Sequence, residues 1–310
     1  MADKKNILVI KLGALGDFIQ ALGPMKAIRT HHPDAKVTLL TTKPFVKFAQ
    51  KSGYFDEVVI DKRPKWHDIA GWIHLKKILN AGAYGRVYDL QNNDRTSIYF
   101  KLFSKRTEWV GVAKGASHEN SSPERTAGKA FDGHRQTLGL AGIKQVDVDN
   151  LSWVVPEHTF DLPTPYVLIV PGGSEQHLEK RWPAASYATL CRKLLTSRIT
   201  PVLIGTKAES VVTDSIKNAV PDVIDLTGKT DLFDLPFLAR TAKAAIGNDT
   251  GPMHIIGPTG CPSLILFSRK SNPLRHAPLG SRVKTIKRDS LDDLTPETVW
   301  NEFANYATGL

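Results

Sequence analysis

The strongest constraint on the fold is an alternation that runs down the chain, stops, and starts again. Short apolar runs, four to seven residues long, alternate with segments of helical spacing, first over residues 6–100 and then from residue 166 onward. "NILVIKL" (6–12) has the continuous apolar character of a parallel strand covered on both faces. "GALG" (13–16) then reads as a loop. "DFIQALGPMKAIRTHHP" places Phe18, Ile19, Leu22, Met25 and Ile28 at helical intervals and stops at Pro33. The strand "KVTLL", a helix ending at Gly53, the strand "EVVI", a helix near 69–79, the strand "RVYDL" and a helix from about Arg95 continue the pattern. Such alternation implies a parallel sheet with helices on both faces. Residues 111–133 are polar, rich in Gly and Ser and without clear period, and are expected to form a loop.

"VVPEHTFDLPTP" carries three prolines in twelve residues and marks a domain joint. The pattern restarts with "YVLIV", the loop "PGGSEQHLEKRW" and a helix that Pro183 opens. "TPVLIG", "AESVVTDSIKNA", "DVIDL", a helix near 234–241 and "AAIG" follow. An amphipathic helix, "TPETVWNEFANYA", comes last, with Thr295 as its N-cap. The chain therefore reads as two successive doubly wound α/β units, a length of 310 residues suiting two domains. The expected boundaries are 1–158 for the first domain, 159–290 for the second and 291–310 for the final helix. Ligands of open α/β sheets bind beyond the carboxyl ends of the strands, so the loops there are where chemistry is sought.

Composition narrows the class. An apolar fraction of 41% supports packed domains, and no apolar run is long enough to span a bilayer. The N-terminal apolar run is too short for a signal peptide, and two cysteines far apart in sequence make neither a disulfide framework nor a metal motif. A cytoplasmic protein is expected. The net charge of +10 calls for an anionic partner or a solvated basic surface. The bases are dispersed and not interleaved with aromatics, which counts against nucleic acid.

Three loops carry candidate chemistry. In "KLGALGDFIQ", Gly13 and Gly16 allow a tight turn and close backbone approach, and Asp17 is either a helix N-cap or a general base. The full dinucleotide fingerprint is missing, which argues against a hydride-transferring enzyme. In "VPGGSEQHLEKRWP", Gly172, Gly173 and Ser174 offer backbone N–H groups and a hydroxyl to phosphate oxygens, while Lys180 or Arg181 supplies positive charge; an ordinary exposed loop is the alternative. The sharpest signal is "IGNDTGPMHIIGPTG". There an apolar strand ends in Asp249, Thr250 and Gly251 at the start of a helix, and His254 follows within one turn. Taken singly, Asp249 is a cap and His254 a buried structural histidine; together the group suggests an anion site.

The N-terminal stretch "ILVIKLGALGDFIQALGPMKAIRTHHPDAKVTLL", the "KRWP" of the second half and "GNDTGPMH" together resemble glycosyltransferase family 9, the heptosyltransferases. "YDLQNNDRTS" (88–97) is similar to a loop of the same family. The resemblance implies a GT-B architecture: two facing Rossmann-like domains with a cleft between them, the last helix packing back on the first. It implies inverting transfer of a heptose from an ADP-activated donor to the inner core of lipopolysaccharide, a lipid-linked acceptor. By motif, Asp17 resembles the catalytic base and Lys180 the lysine that meets the donor diphosphate. Gly173, Ser174, Asp249, Thr250, Gly251 and His254 fall at the donor site, and Glu209 where an acid binds the donor ribose. Gly13, Gly16, Gln91, Asn92 and Arg95 fall on the acceptor side. No D-x-D metal site is identified, so no obligatory metal or other cofactor is expected. The basic surface is then expected to make peripheral contact with the anionic inner membrane. A nucleotide-sugar epimerase of the same architecture and an inactive donor-binding family member are the competing readings.

Overall fold

The computed structural model describes residues 6–104, 107–173 and 178–307. They form two units, Met1–Asp149 and Asn150–Leu310. The expected division at 158/159 thus lies at 149/150, ahead of the prolines.

In the first unit the elements run β1 (Asn6–Ile10), α1 (Leu15–Gln20), α2 (Leu22–His31), β2 (Lys36–Thr41), α3 (Val46–Ser52), β3 (Glu57–Ile60), α4 (Ile69–Ala81), β4 (Arg86–Asp89), α5 (Asp94–Phe100), β5 (Glu108–Gly111), β6 (His118–Glu119) and α6 (Ala130–Leu140). Its six strands are all parallel, in the order β3-β2-β1-β4-β5-β6. In the second unit they run β7 (Tyr166–Val170), α7 (Ala184–Thr196), β8 (Thr200–Leu203), α8 (Ser210–Ala219), β9 (Ile224–Asp225), α9 (Asp234–Thr241), β10 (Ala244–Asn248), α10 (Gly251–Ile256), β11 (Ser263–Phe267), α11 (Pro273–His276), β12 (Val283–Lys287) and α12 (Pro296–Ala307). Its sheet, β12-β11-β10-β7-β8-β9, is again all parallel. Counted from each unit's first strand, both sheets have the order 3-2-1-4-5-6, the doubly wound arrangement. Strands β7, β10 and β11 are buried at every position, which is why they read as unbroken apolar runs.

Several elements differ from expectation, each for a local reason. The single helix expected after Asp17 is two helices, broken at Ala21. Pro24 has no N–H to return to Gln20, so one helix cannot run through. The segment 111–133, expected to be a loop, contains β6 and opens α6. The glycines and polar residues of α6 hid its period. Gly133 is there for packing, because a Cβ would approach Arg125 O to 2.5 Å. Beside it Phe131, His134 and Leu138 supply the buried face. The final helix, expected to pack on the first domain, packs on α7 of the second unit, where Val299 and Phe303 share a core with Leu190 and Leu194. Thr295 accepts from Thr298 N at 3.2 Å, the expected N-cap.

The consequence for function is where each sheet reverses direction. In the first unit the reversal lies between β1 and β4, so residues 11–17 and 90–95 emerge side by side. In the second it lies between β7 and β10, bringing 171–182 beside 249–254. The three loops singled out in the sequence all leave strands at these two points.

Candidate functional site

In the second unit a single amide organises the loops. Asn248, the last residue of β10, has no exposed surface. Its Nδ2 donates to Pro171 O at 2.8 Å and Gly172 O at 3.0 Å, and its Oδ1 accepts from Trp182 N at 3.1 Å and the Tyr187 hydroxyl at 2.9 Å. One side chain thereby holds both ends of the 171–182 loop against the end of β10. Gly247, just before it, packs where a Cβ would come within 2.7 Å of Val170 Cβ. Trp182 is buried, its indole N–H donating to Leu294 O at 2.7 Å. Between these anchors Lys180 Nζ reaches Asp249 Oδ2 at 3.2 Å. The lysine side chain retains 24% exposure and the aspartate 9%, so the pair sits at the edge of solvent with the cation outward.

Asp249 is therefore not a helix cap; the N-cap position of α10 belongs to Thr250, whose side chain makes no capping bond. That hydroxyl is not spent on its own helix. Gly251 opens α10 and His254, its fourth residue, is buried. Arg181, weighed as an alternative to Lys180, is committed to the loop itself, its Nη2 donating to Gly173 O at 2.5 Å. Glu209, at the carboxyl end of β8, accepts from Thr206 N at 2.7 Å and Thr206 Oγ1 at 3.1 Å through Oε2. Its Oε1 lies over the backbone of Gly172, where any Cβ would collide with it. The structure thus gathers Gly173, Lys180, Asp249, Thr250, Gly251 and His254 at one switch point, with Glu209 against the same loop. Ser174 lies outside the described residues.

The first unit's switch point is built around buried charge. Lys11 is 4% exposed and donates to Leu90 O at 3.0 Å. Burial lowers its pKa, while the carboxylates of Asp17 and Asp89 pull it back up. Asp89 is fully buried; burial raises its pKa to about 6 despite hydrogen bonds from Asn92, Thr96 and Gln91 and the nearby Lys11. Its Oδ1 accepts from Gln91 N at 3.0 Å and Asn92 N at 2.9 Å, and Asn92 takes the left-handed conformation that turn requires (φ 52°). The Gln91 side chain accepts from Leu12 N at 2.9 Å, tying the two loops together. Gly13, at φ 117°, lies against Phe45, which a Cβ would approach to 2.7 Å.

Helix α1 starts at Leu15, with Ala14 in the N-cap position and Gly16 in the first turn, so the cap reading of Asp17 does not hold. Asp17 is the third helical residue and half-buried, its carboxyl not used to start the helix. Of the acceptor-side candidates, Gln91 and Asn92 shape the loop. Arg95 stands apart, its guanidinium 5.3 Å from the Trp66 ring centre and 5.6 Å from that of Trp72, donating to Pro64 O. Lys11, Asp89 and Asn248 were not singled out from the sequence. A lysine or an amide closing an otherwise apolar strand ("NILVIK", "AAIGN") was the signal available.

Comparison with known proteins places this arrangement. The family model for glycosyltransferase family 9 (heptosyltransferase) matches residues 72–296. The chain belongs to glycosyltransferase family 9. It is a glycosyltransferase with the GT-B fold. A match to lipooligosaccharide heptosyltransferase 2 of Haemophilus influenzae, 31% identical, spans 148 residues, 40% of this chain and 42% of that protein. Lipopolysaccharide heptosyltransferase 2 of Escherichia coli is 23% identical, with 96% of this chain and 97% of that protein aligned. The solved structure of the E. coli ADP-heptose LPS heptosyltransferase II superposes with a TM-score of 0.74 at 21% identity, covering 98% of this chain and 99% of that one. The family 9 match takes in the Lys180 loop, Glu209 and the Asp249–His254 turn but begins beyond Asp17. Among the described residues no helix is long and apolar enough to cross a membrane.

Proposed function

We propose that the protein transfers a heptose from an ADP-activated donor, with inversion, to the inner core of lipopolysaccharide. The observation that carries this reading is the Lys180–Asp249 pair held beside Thr250 at the switch point of the second sheet, in a chain of family 9. An ammonium has three donors. Asp249 engages one and fixes the direction of the other two toward a diphosphate. Asp249 then orients Lys180 rather than touching phosphate, which its own charge would repel. The Thr250 hydroxyl and the backbone of Gly173 and Gly251 complete the anion site, and His254 backs the turn that carries them. Glu209 meets the donor ribose.

In the reaction the acceptor hydroxyl oxygen attacks the anomeric carbon as the bond from that carbon to the diphosphate breaks. The hydroxyl proton passes to the Asp17 carboxylate, and ADP leaves with the bonding electron pair, its developing charge met by Lys180. Gly16 leaves the backbone beside Asp17 open to the acceptor, Gly13 seats the turn against Phe45, Arg95 presents a cation to the acceptor, and Gln91 and Asn92 hold the neighbouring loop in shape. The chain's own residues supply acid–base and electrostatic chemistry without an obligatory metal. The acceptor is lipid-linked, and the protein works at the cytoplasmic face of the inner membrane.

Calorimetric titration with ADP, UDP and GDP tests the donor half. Selective ADP binding that Asp249→Ala abolishes is the expected result. A preference for UDP, or ADP affinity indifferent to that substitution, would remove the reading.

A further inference from the structure

Helix α4 and the segment before it leave an apolar face that the fold does not use. The helix buries Leu75 and Leu79, yet Ile69 is 73% exposed and Ile73, one turn on, 65%. Trp66, 63% exposed, stacks on Trp72 with ring centres 5.7 Å apart, so a third large apolar group is held rigidly beside the two isoleucines' helix. Single exposed apolar residues need no explanation, but three within eight residues, two of them on one helix face, do.

The charge around them is one-sided. Residues 61–80 contain five bases, Lys62, Arg63, Lys65, Lys76 and Lys77, against two acids. All five bases are exposed. Both acids are occupied within the fold: Asp61 is buried, accepting the Tyr99 hydroxyl at 2.6 Å and Arg63 N at 2.7 Å, and Asp68 caps α4 by accepting Gly71 N at 2.8 Å. What faces outward is tryptophan and isoleucine flanked by five lysines and arginines, with the capping Asp68 the one exposed acid of the stretch. This is the pattern of a helix lying in a bilayer interface, where aromatic and aliphatic groups enter the headgroup region and bases meet anionic lipid.

We infer that the Trp66–Lys77 face docks the protein on the surface of an anionic phospholipid bilayer. This deepens the proposed function by giving the lipid-linked acceptor a surface on which it is met. Apolar insertion supplies part of the affinity and the bases the rest, so binding needs both anionic lipid and low salt.

The test uses the full chain and vesicles of phosphatidylethanolamine with about a quarter phosphatidylglycerol, compared with phosphatidylcholine alone, in co-sedimentation. The wild type should bind the anionic vesicles, and lose them at about 1 M salt, where the screening length is about 3 Å. Ile69→Gln/Ile73→Gln and, separately, Lys76→Glu/Lys77→Glu should each weaken binding roughly tenfold or more. Neither pair is among the residues proposed to bind ADP or the acceptor, so ADP affinity and transfer to a soluble, deacylated acceptor should stay at the wild-type level and report correct folding. Unchanged vesicle binding in both variants would overturn the inference. So would equal binding to neutral vesicles, or a wild-type dimer that Ile69→Gln/Ile73→Gln dissociates without any vesicle binding, which would make the face a contact between copies. If the wild type binds vesicles through this face but transfers no heptose, the docking surface stands and the proposed function falls.

Discussion

Replacing Asn248 tests the organisation of the 171–182 loop most directly. Leucine has asparagine's branched shape and is larger, so Asn248→Leu opens no cavity and any overpacking adds to the loss. It removes the partner of four buried groups at once: Pro171 O, Gly172 O, Trp182 N and the Tyr187 hydroxyl. Each buried polar group left without a partner costs roughly 1–3 kcal/mol. Even at the lower end the four amount to about 4 kcal/mol, and the loop can recover some of them only by letting water in. For a unit of 161 residues (150–310), 1 kcal/mol moves the midpoint by about 2–4 °C, so the second unit should melt about 8–16 °C lower. Differential scanning calorimetry reads this, with Tyr187→Phe as control; that variant removes one of the four bonds and should cost about 1 kcal/mol or less. ADP affinity should fall with stability in Asn248→Leu, since the same loop carries Lys180. Asn248→Asp adds a sign. Its second oxygen would face the Pro171 and Gly172 carbonyls at the distances where Nδ2 now donates, so the folded state holds that carboxyl protonated and its pKa is raised. Its stability is then greatest in acid and is lost as pH rises through that raised pKa. A loss under about 1 kcal/mol in Asn248→Leu would refute the view that this amide holds the loop.

The remaining predictions concern single residues. Asp17→Ala should reduce transfer by about 10²–10⁴-fold while ADP binding, followed by calorimetry, is retained; transfer at the normal rate would dismiss it as the base. Lys180→Ala should weaken ADP binding about tenfold or more, and an unchanged affinity would remove it from the phosphate site. Gly172→Ala should be destabilising because its Cβ meets Glu209 Oε1, and adding Glu209→Ala should restore part of the loss, a coupling that denaturation of the four proteins measures. Asp234, with no exposed surface, feels burial raising its pKa, but N–H groups of Asp231, His158 and Glu157 and the His158 ring outweigh that and hold it below 3.8. It therefore stabilises the fold above about pH 4, and the contribution is lost as pH falls through the lowered value. Asp234→Asn should cost about 1–3 kcal/mol at neutral pH and flatten the acid limb of the stability profile.

The sequence by itself determined the strand–helix alternation, its restart after the prolines and the three loops that end strands. Strands buried on both faces must be apolar throughout, and glycines and caps must stand where the chain turns, so these features are written locally. It also marked Lys180, Asp249 and Thr250 as residues worth placing. Tertiary structure alone decided what those residues do to one another. The Lys180–Asp249 pair joins positions 69 residues apart, and no periodicity encodes it. Asn248 became the anchor of the 171–182 loop only because β10 lies beside β7, and Gly172 became intolerant of a side chain only because Glu209 arrives over it from the segment after β8. Helix α6 was illegible because Gly133 answers a neighbouring carbonyl rather than a turn. The same holds for the final helix, whose amphipathic face was plain but whose partner, α7, was set by packing. Local sequence encodes backbone preference and burial; which surfaces meet is fixed by long-range packing, and the site's chemistry lies in those meetings.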